Sequence, residues 1–217
     1  MPKTKYKAVI FDFDDTLVKA HEVIWALHKA VAKKFYNIDL SDEVILKHWG
    51  KPFPILVSEL YQNTDTLENM IAANRSLTND FLKKELRGSA ETVTKLLDNG
   101  IRVGILSATI KSHILDDFNR LNFPTDRLDI IQSAEDTLVH KPDPDVFLPL
   151  LKKLKEEGIE KEDIVYVGDS LDDLRAATGA GIDFIAVTTG LYSSADFKKH
   201  GAKVVIKDIT EIIKFLY

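Results

Sequence analysis

The sequence contains no cysteine. That excludes disulfides, thiolate catalysis, Cys-ligated zinc and iron–sulfur clusters, and it leaves carboxylate and hydroxyl chemistry as the main options. No apolar run is long enough for a membrane helix: the stretch Val146–Leu151 contains Pro149 and falls far short of the roughly 20 residues that span a bilayer. A cationic surplus is missing too. With 29 Lys and Arg against 34 Asp and Glu, and a net charge of -5, the chain lacks the electrostatic footprint of a protein that binds nucleic acid or anionic membrane without sequence preference. Lys3, Lys5 and Lys7 could open a secretory leader, but Asp12, Asp14 and Asp15 end the apolar run Ala8–Phe11 after four residues, so a cytoplasmic protein is expected. There is no internal repeat and no linker rich in Gly, Ser or Pro.

What is present fits a globular protein. At 217 residues, 45% hydrophobic and 29% charged, the chain exceeds a typical ~150-residue domain and predicts one large domain or a core with an insert. Short β-rich runs recur at Ala8–Phe11, Ile101–Leu106, Ile164–Val167, Phe184–Val187 and Val204–Ile206, with a weaker one at Asp129–Ile131. Their continuous apolar character, with helical text between, predicts strands covered on both faces in a doubly wound parallel α/β sheet. One interval breaks the rhythm. Between residues 18 and 86 the text reads as helix: His21–Tyr36 carries Val23, Ala26, Leu27, Ala30 and Val31 at helical spacing, Ser41 is placed to cap Asp42–His48, and Leu67–Leu86 is a further long stretch. The breaker Gly50–Pro54 marks a turn inside it. The expected organisation is therefore a core of residues 1–17 and 87–217 with a helical insert at 18–86.

Four segments carry candidate chemistry. The first strand runs into Asp12-Phe13-Asp14-Asp15-Thr16, placing carboxylates where parallel strands open onto a crevice. The second ends in Ser107-Ala108-Thr109, offering a hydroxyl and free N–H groups ahead of a helix, a setting that suits phosphate. Lys141 lies between His140 and Pro142-Asp143-Pro144. The run Gly168-Asp169-Ser170-Leu171-Asp172-Asp173 sets Asp169 and Asp173 four residues apart on one face of an incipient helix. If Asp12, Asp14, Asp169 and Asp173 converge, each pair at ~4 Å repels by about 4 kcal/mol at an effective dielectric near 20, so a cation is required. A hard divalent ion bound through oxygen, Mg²⁺ above all, fits that need.

In these four segments, taken in order, the chain resembles the haloacid dehalogenase-like hydrolases, whose pattern stands here as Asp12-x-Asp14-x-Thr16, Ser107, Lys141 and Gly168-Asp169-Ser170-x-x-Asp173. That family also inserts a helical cap between its first two motifs. The resemblance implies a Rossmann-like core with an α-helical cap and a Mg²⁺-dependent phosphatase acting through an aspartyl-phosphate. It implies Asp12 as nucleophile and Asp14 as general acid and base. Mg²⁺ would be held by Asp12, the backbone carbonyl of Asp14 and Asp169, with Asp173 in support, and Thr16, Ser107, Ala108 and Lys141 would surround the phosphoryl group. The family's dehalogenases lack the second aspartate, so Asp14 points to a phosphatase. The text around Asp143–Phe147 and Ala180–Ile182 is similar to the phosphoglycolate phosphatase and β-phosphoglucomutase branch. Two positions depart from the pattern: Ala108 stands where many members have Asn, and Asp15 where many have Gly.

The implied partner is a small phosphorylated metabolite, with no nucleic acid or membrane, and a monomer or homodimer. His21, Trp25, Trp49 and Lys51 are candidates for contacting the leaving group, while His28, seven residues after His21, is read as non-metal. Two rivals share parts of the pattern: a phosphosugar mutase of the β-phosphoglucomutase type, and a receiver-like signalling domain that is phosphorylated without turnover.

Overall fold

Buried strands need partners on both edges, and the apolar runs of this chain find them in one sheet. A computed structural model describes residues 4–51 and 53–216. In chain order the elements are β1 (Ala8–Phe11), β2 (Val18–Lys19), α1 (His21–Tyr36), α2 (Asp42–His48), α3 (Phe53–Leu60), α4 (Leu67–Leu77), β3 (Lys84–Glu85), α5 (Ser89–Asp98), β4 (Arg102–Leu106), α6 (Lys111–Arg120), β5 (Ile130–Gln132), α7 (Leu148–Glu156), β6 (Ile164–Gly168), α8 (Leu171–Ala180), β7 (Asp183–Val187), α9 (Ser194–Lys199) and β8 (Val204–Ile206). Six of the strands form one parallel sheet in the order β5-β4-β1-β6-β7-β8.

The sheet is α/β and doubly wound, as its sequence pattern requires. Side chains alternate between its faces: Val9, Phe11, Val103, Ile105, Val165 and Val167 pack in one layer, and Ala8, Ile10, Ile164 and Tyr166 in the other. From β1 the chain winds outward through β4 and β5, then returns to build β6, β7 and β8 on the other side. That reversal opens a crevice beyond the carboxyl ends of the central strands. Register decides what lines it. Phe11 pairs with Ile105 on one side and Val167 on the other, so residues 12, 106–107 and 168–169 leave the sheet at the same edge.

The chain divides into two compact units, Met1–Lys19 with Lys84–Tyr217, and Ala20–Lys83. The second unit has its own core, in which Leu27, Val31, Ile45, Val57, Leu60, Tyr61 and Met70 are buried. Ser41 caps α2 by accepting the Val44 N–H at 3.4 Å. Two local expectations differ. The inward face of α1 is Trp25, Leu27, His28, Val31 and Ala32, with Ala26 exposed; Leu27 and Val31 face in as expected, but the face is shifted around them and takes in a histidine. The helix begun at Leu67 stops at Leu77, because Thr78, Asn79 and Asp80 are poor interior helix formers and make a 3₁₀ turn instead. Beyond it β3 pairs antiparallel with β2 through Val18–Glu85 and Lys19–Lys84. The Gly50–Pro54 breaker separates α2 from α3 as expected, and its last two residues start α3, with Pro54 in the first turn, where a missing N–H leaves no intrahelical bond unmade.

Candidate active site

The end of β1 is held rigidly. The Asp12 N–H donates to Val167 O at 2.8 Å, Asp15 N–H to Val18 O at 2.7 Å and Leu17 N–H to Phe13 O at 3.0 Å, which closes residues 12–18 into a tight turn. Asp15 sits at φ 55, the left-handed region where Gly is easiest and Asp is among the better tolerated alternatives. The departure noted at this position is therefore compatible with the backbone.

Lys141 joins three segments. Its Nζ donates to Asp12 Oδ1 at 2.8 Å, to Asp173 Oδ1 at 2.6 Å and to the Tyr166 hydroxyl at 3.1 Å, using all three ammonium protons. Asp173 is fully engaged: Oδ1 also receives the Tyr166 hydroxyl at 2.8 Å, and Oδ2 receives the Ser170 N–H at 3.0 Å and hydroxyl at 2.6 Å. Ser170 answers by accepting the Asp173 N–H at 3.1 Å, a reciprocal cap on α8. Gly168 makes room, since a Cβ there would lie 2.6 Å from Asp173 Cγ. Asp169 Oδ1 accepts from the Thr16 hydroxyl at 3.3 Å, tying the first segment to the last.

These charges are not balanced. Burial pushes the Asp12 carboxyl up to about 7; Lys141 opposes the shift, and Asp173 and Asp14 add to it. Burial, then Asp12, Asp173 and Asp15, push Asp169 well above the usual carboxylate range. Burial disfavours the charged form of Lys141, but Asp12 and Asp173 outweigh it and hold the ammonium well above its ordinary value. One carboxylate oxygen from each of Asp12, Asp169 and Asp173 lies within 4.8 Å of the others. Three carboxylates thus face one lysine, and Asp173 has already spent both oxygens. Asp12 and Asp169 remain as oxygen donors short of positive charge, a donor set that fits a hard divalent cation.

Asp14 is placed apart from that trio. Its Oδ2 receives the Thr109 hydroxyl at 2.5 Å, and the Thr109 N–H donates to Ser107 Oγ at 3.0 Å. The segment after β4 is thereby joined to the turn after β1. Ala108, between them, is exposed, and with Ser107 and Lys141 it lines a crevice of about 10 Å³. All eight residues singled out for the site, Asp12, Asp14, Thr16, Ser107, Ala108, Lys141, Asp169 and Asp173, lie on segments that leave this edge. Two partners escaped the sequence reading. Tyr166 carried a signal, because a tyrosine within a fully buried strand must find a partner for its hydroxyl. Thr109 carried only its hydroxyl, which composition does not distinguish from a helix cap.

The candidates in the helical unit sit as follows. Trp25 is buried, with His21 edge-on at 5.6 Å and Trp49 at 5.7 Å between ring centroids. Lys51 pairs with Glu59 at 2.6 Å. His28 is buried, with its Nδ1 2.9 Å from the Tyr61 hydroxyl.

The chain is similar to known proteins over most of its length. A family model of haloacid dehalogenase-like hydrolases matches residues 9–187. The chain is similar to a protein assigned as a pyrophosphatase, PpaX, from Caldanaerobacter subterraneus, with 26% identity over 98% of this chain and 95% of that one. It is 27% identical to a phosphoglycolate phosphatase from Yersinia pestis, over 86% of this chain and 84% of the relative. Among solved structures, a chain from Bacteroides fragilis assigned to the haloacid dehalogenase-like hydrolases is 29% identical, with 96% of this chain and 100% of that one covered at a TM-score of 0.78.

Proposed function

Because the chain belongs to the haloacid dehalogenase-like hydrolases, we propose that it is a Mg²⁺-dependent phosphatase that cleaves a small phosphate ester or anhydride through an aspartyl-phosphate. The observation that carries this reading is Asp12: a carboxylate on the residue directly after β1, 2.8 Å from the Lys141 ammonium and backed by Asp169 and Asp173.

Asp12 attacks phosphorus, a new O–P bond forms, and the bond to the leaving oxygen breaks. Asp14, steadied by Thr109, gives its proton to that oxygen. It then takes one from the water that cleaves the aspartyl-phosphate and returns Asp12. Lys141 holds the nucleophile and, by exchanging its bond to Tyr166 for one to substrate, joins the Ser107 hydroxyl and the Ala108 N–H on the phosphoryl oxygens. Asp12 and Asp169 would hold the cation, with the Asp14 carbonyl as third protein ligand. Bound there, Mg²⁺ supplies the positive charge that keeps Asp12 ionised and offsets the phosphoryl oxygens. Tyr166 and the Ser170 cap fix Asp173, and Asp173 fixes Lys141.

Pyrophosphate and phosphoglycolate head the list of substrates, since relatives carrying those names span nearly the full chain. The test is phosphate release from p-nitrophenyl phosphate, pyrophosphate, phosphoglycolate and sugar phosphates, with Mg²⁺ and with EDTA. Release with Mg²⁺ that EDTA abolishes is expected. No Mg²⁺-dependent release from any of them would overturn the reading.

A further inference from the structure

The loop from β7 to α9 belongs to none of the four chemical segments, yet it touches the site twice. The Thr189 hydroxyl donates to the Asp15 carbonyl oxygen at 2.5 Å. One residue on, a Cβ built on Gly190 would fall 1.9 Å from Asp169 Oδ2 and 2.8 Å from its Cγ. Gly190 is not among the residues with positive φ, so the backbone does not demand glycine; the approach of the carboxylate does. The loop is anchored at both ends. Thr188 N–H donates to Ile206 O in β8 at 3.2 Å, and Ser193 caps α9, accepting the Asp196 N–H at 3.2 Å.

Two contacts from adjacent residues thus reach opposite halves of the site: the turn that carries Asp14 and Asp15, and the carboxylate of Asp169. Thr16 joins the same halves from below, through its 3.3 Å bond to Asp169 Oδ1. We infer that Thr189 and Gly190 form a clamp that sets the spacing between the acid–base turn and the cation-binding carboxylate. Both are positioning residues. Thr189 acts through the Asp15 carbonyl on the aim of Asp14, and Gly190 acts by leaving Asp169 its place. The inference rests on the phosphatase reading for its catalytic consequence, but the clamp itself is a property of the folded chain.

The experiment compares Thr189→Val, which keeps the shape and removes the donor, with Thr189→Ser, which keeps the donor, and with Gly190→Ala. Outer-shell supports of this kind are worth about 10- to 100-fold. Thr189→Val should lower kcat on p-nitrophenyl phosphate about tenfold at saturating Mg²⁺ while KM stays within about twofold. Amide hydrogen exchange over residues 13–17 should quicken in the same variant, and Thr189→Ser should restore both. Gly190→Ala should weaken Mg²⁺ binding, measured by calorimetry without substrate, by about tenfold or more. If Gly190→Ala does not fold, the two Thr189 variants decide the matter. A Thr189→Val protein with wild-type kcat and wild-type exchange overturns the clamp, and so does a folded Gly190→Ala protein that binds Mg²⁺ as tightly as wild type. A wild-type protein that neither binds Mg²⁺ nor releases phosphate overturns the phosphatase reading instead. The exchange comparison then decides the clamp alone.

Discussion

At the carboxyl edge of the sheet, Asp12, Asp169 and Asp173 gather around one lysine; in the helical unit, His28, Tyr61 and Asn74 gather around one another. In the second cluster the Tyr61 hydroxyl is hydrogen-bonded to His28 Nδ1 at 2.9 Å and accepts from Asn74 Nδ2 at 2.9 Å. Burial lowers the His28 imidazole to about 4 and pushes the Tyr61 hydroxyl up, so both stay neutral near pH 7. Such a cluster closes on itself. It needs no ligand, and its physical task is to fix how α1, α3 and α4 pack. The first cluster does not close, because it holds more negative charge than Lys141 can balance. Burial is common to both. Uncompensated charge sets the proposed cation site apart from the neutral knot.

The largest effects should come from the unbalanced cluster. Asp12→Asn is expected to reduce phosphatase turnover by at least about 10⁴-fold, as removing a nucleophile does elsewhere. Yet the metal-free protein should melt no lower than wild type, because a buried carboxylate held up near pH 7 is itself costly. A variant with near-wild-type turnover would break the assignment; a large drop in melting temperature would break the electrostatic account. Lys141→Met acts on the same imbalance from the other side. It removes the cation and leaves Asp12 and Asp173 buried together, which should cost about 3–5 kcal/mol in urea unfolding, with part regained on adding Mg²⁺. Unchanged stability would mean that the carboxylates are balanced without the lysine.

Most of this contrast was legible in the sequence at the sheet edge and little of it in the helical unit. The carboxylates of the site follow strands whose apolar runs are unmistakable, and a parallel register forces the ends of β1, β4 and β6 to one edge. Linear spacing therefore translated into spatial convergence. Tyr166, Thr109 and Thr189 were harder, since each acts through one hydroxyl whose target lies at least 7 residues away, and in two cases 95 and 174. The polar knot was hidden for another reason. The stripe Val23, Ala26, Leu27, Ala30 and Val31 shares Leu27 and Val31 with the true inward face, and only packing against α3 and α4 shows that His28 faces in. The breaker Gly50–Pro54 was legible as a turn between α2 and α3; only the start of α3 at Phe53, with Pro54 suited to a first turn, was not.

Acid should separate the two clusters by sign. His28 has a folded value of about 4 against an ordinary 6.5, so the unfolded chain takes up the proton first. Stability is then full above about pH 6.5, falls as pH drops toward 4, and loses up to about 3 kcal/mol in all. Asp12 behaves oppositely in the metal-free protein. Its folded value of about 7 lies above 3.8, so the folded state takes up the proton first, and stability from this group grows as pH falls from about 7 toward 4. Both tryptophans lie in the helical unit, so fluorescence-detected unfolding reports that unit. Hydrogen exchange in β1 and β6 reports the other. Acid that loosens both alike, with Mg²⁺ removed, would erase the distinction.

The smallest effect tests whether the neutral knot really closes on itself. Tyr61→Phe deletes one hydroxyl and leaves His28 Nδ1 and Asn74 Nδ2 already 3.3 Å apart, near enough to bond to each other once the tyrosine oxygen is gone. An orphaned buried donor or acceptor costs about 1–3 kcal/mol, but here the two survivors can satisfy one another. The expected loss is therefore at the lower end, about 1 kcal/mol in urea unfolding followed by tryptophan fluorescence, with Mg²⁺ affinity unchanged. His28→Leu, in contrast, keeps the Asn74–Tyr61 bond but leaves the Tyr61 hydroxyl without its ring partner and with no substitute within the knot, and it should cost more than Tyr61→Phe. If the two variants cost the same, the three groups are not a mutually satisfied set, and the contrast with the carboxylate cluster reduces to a difference in charge alone.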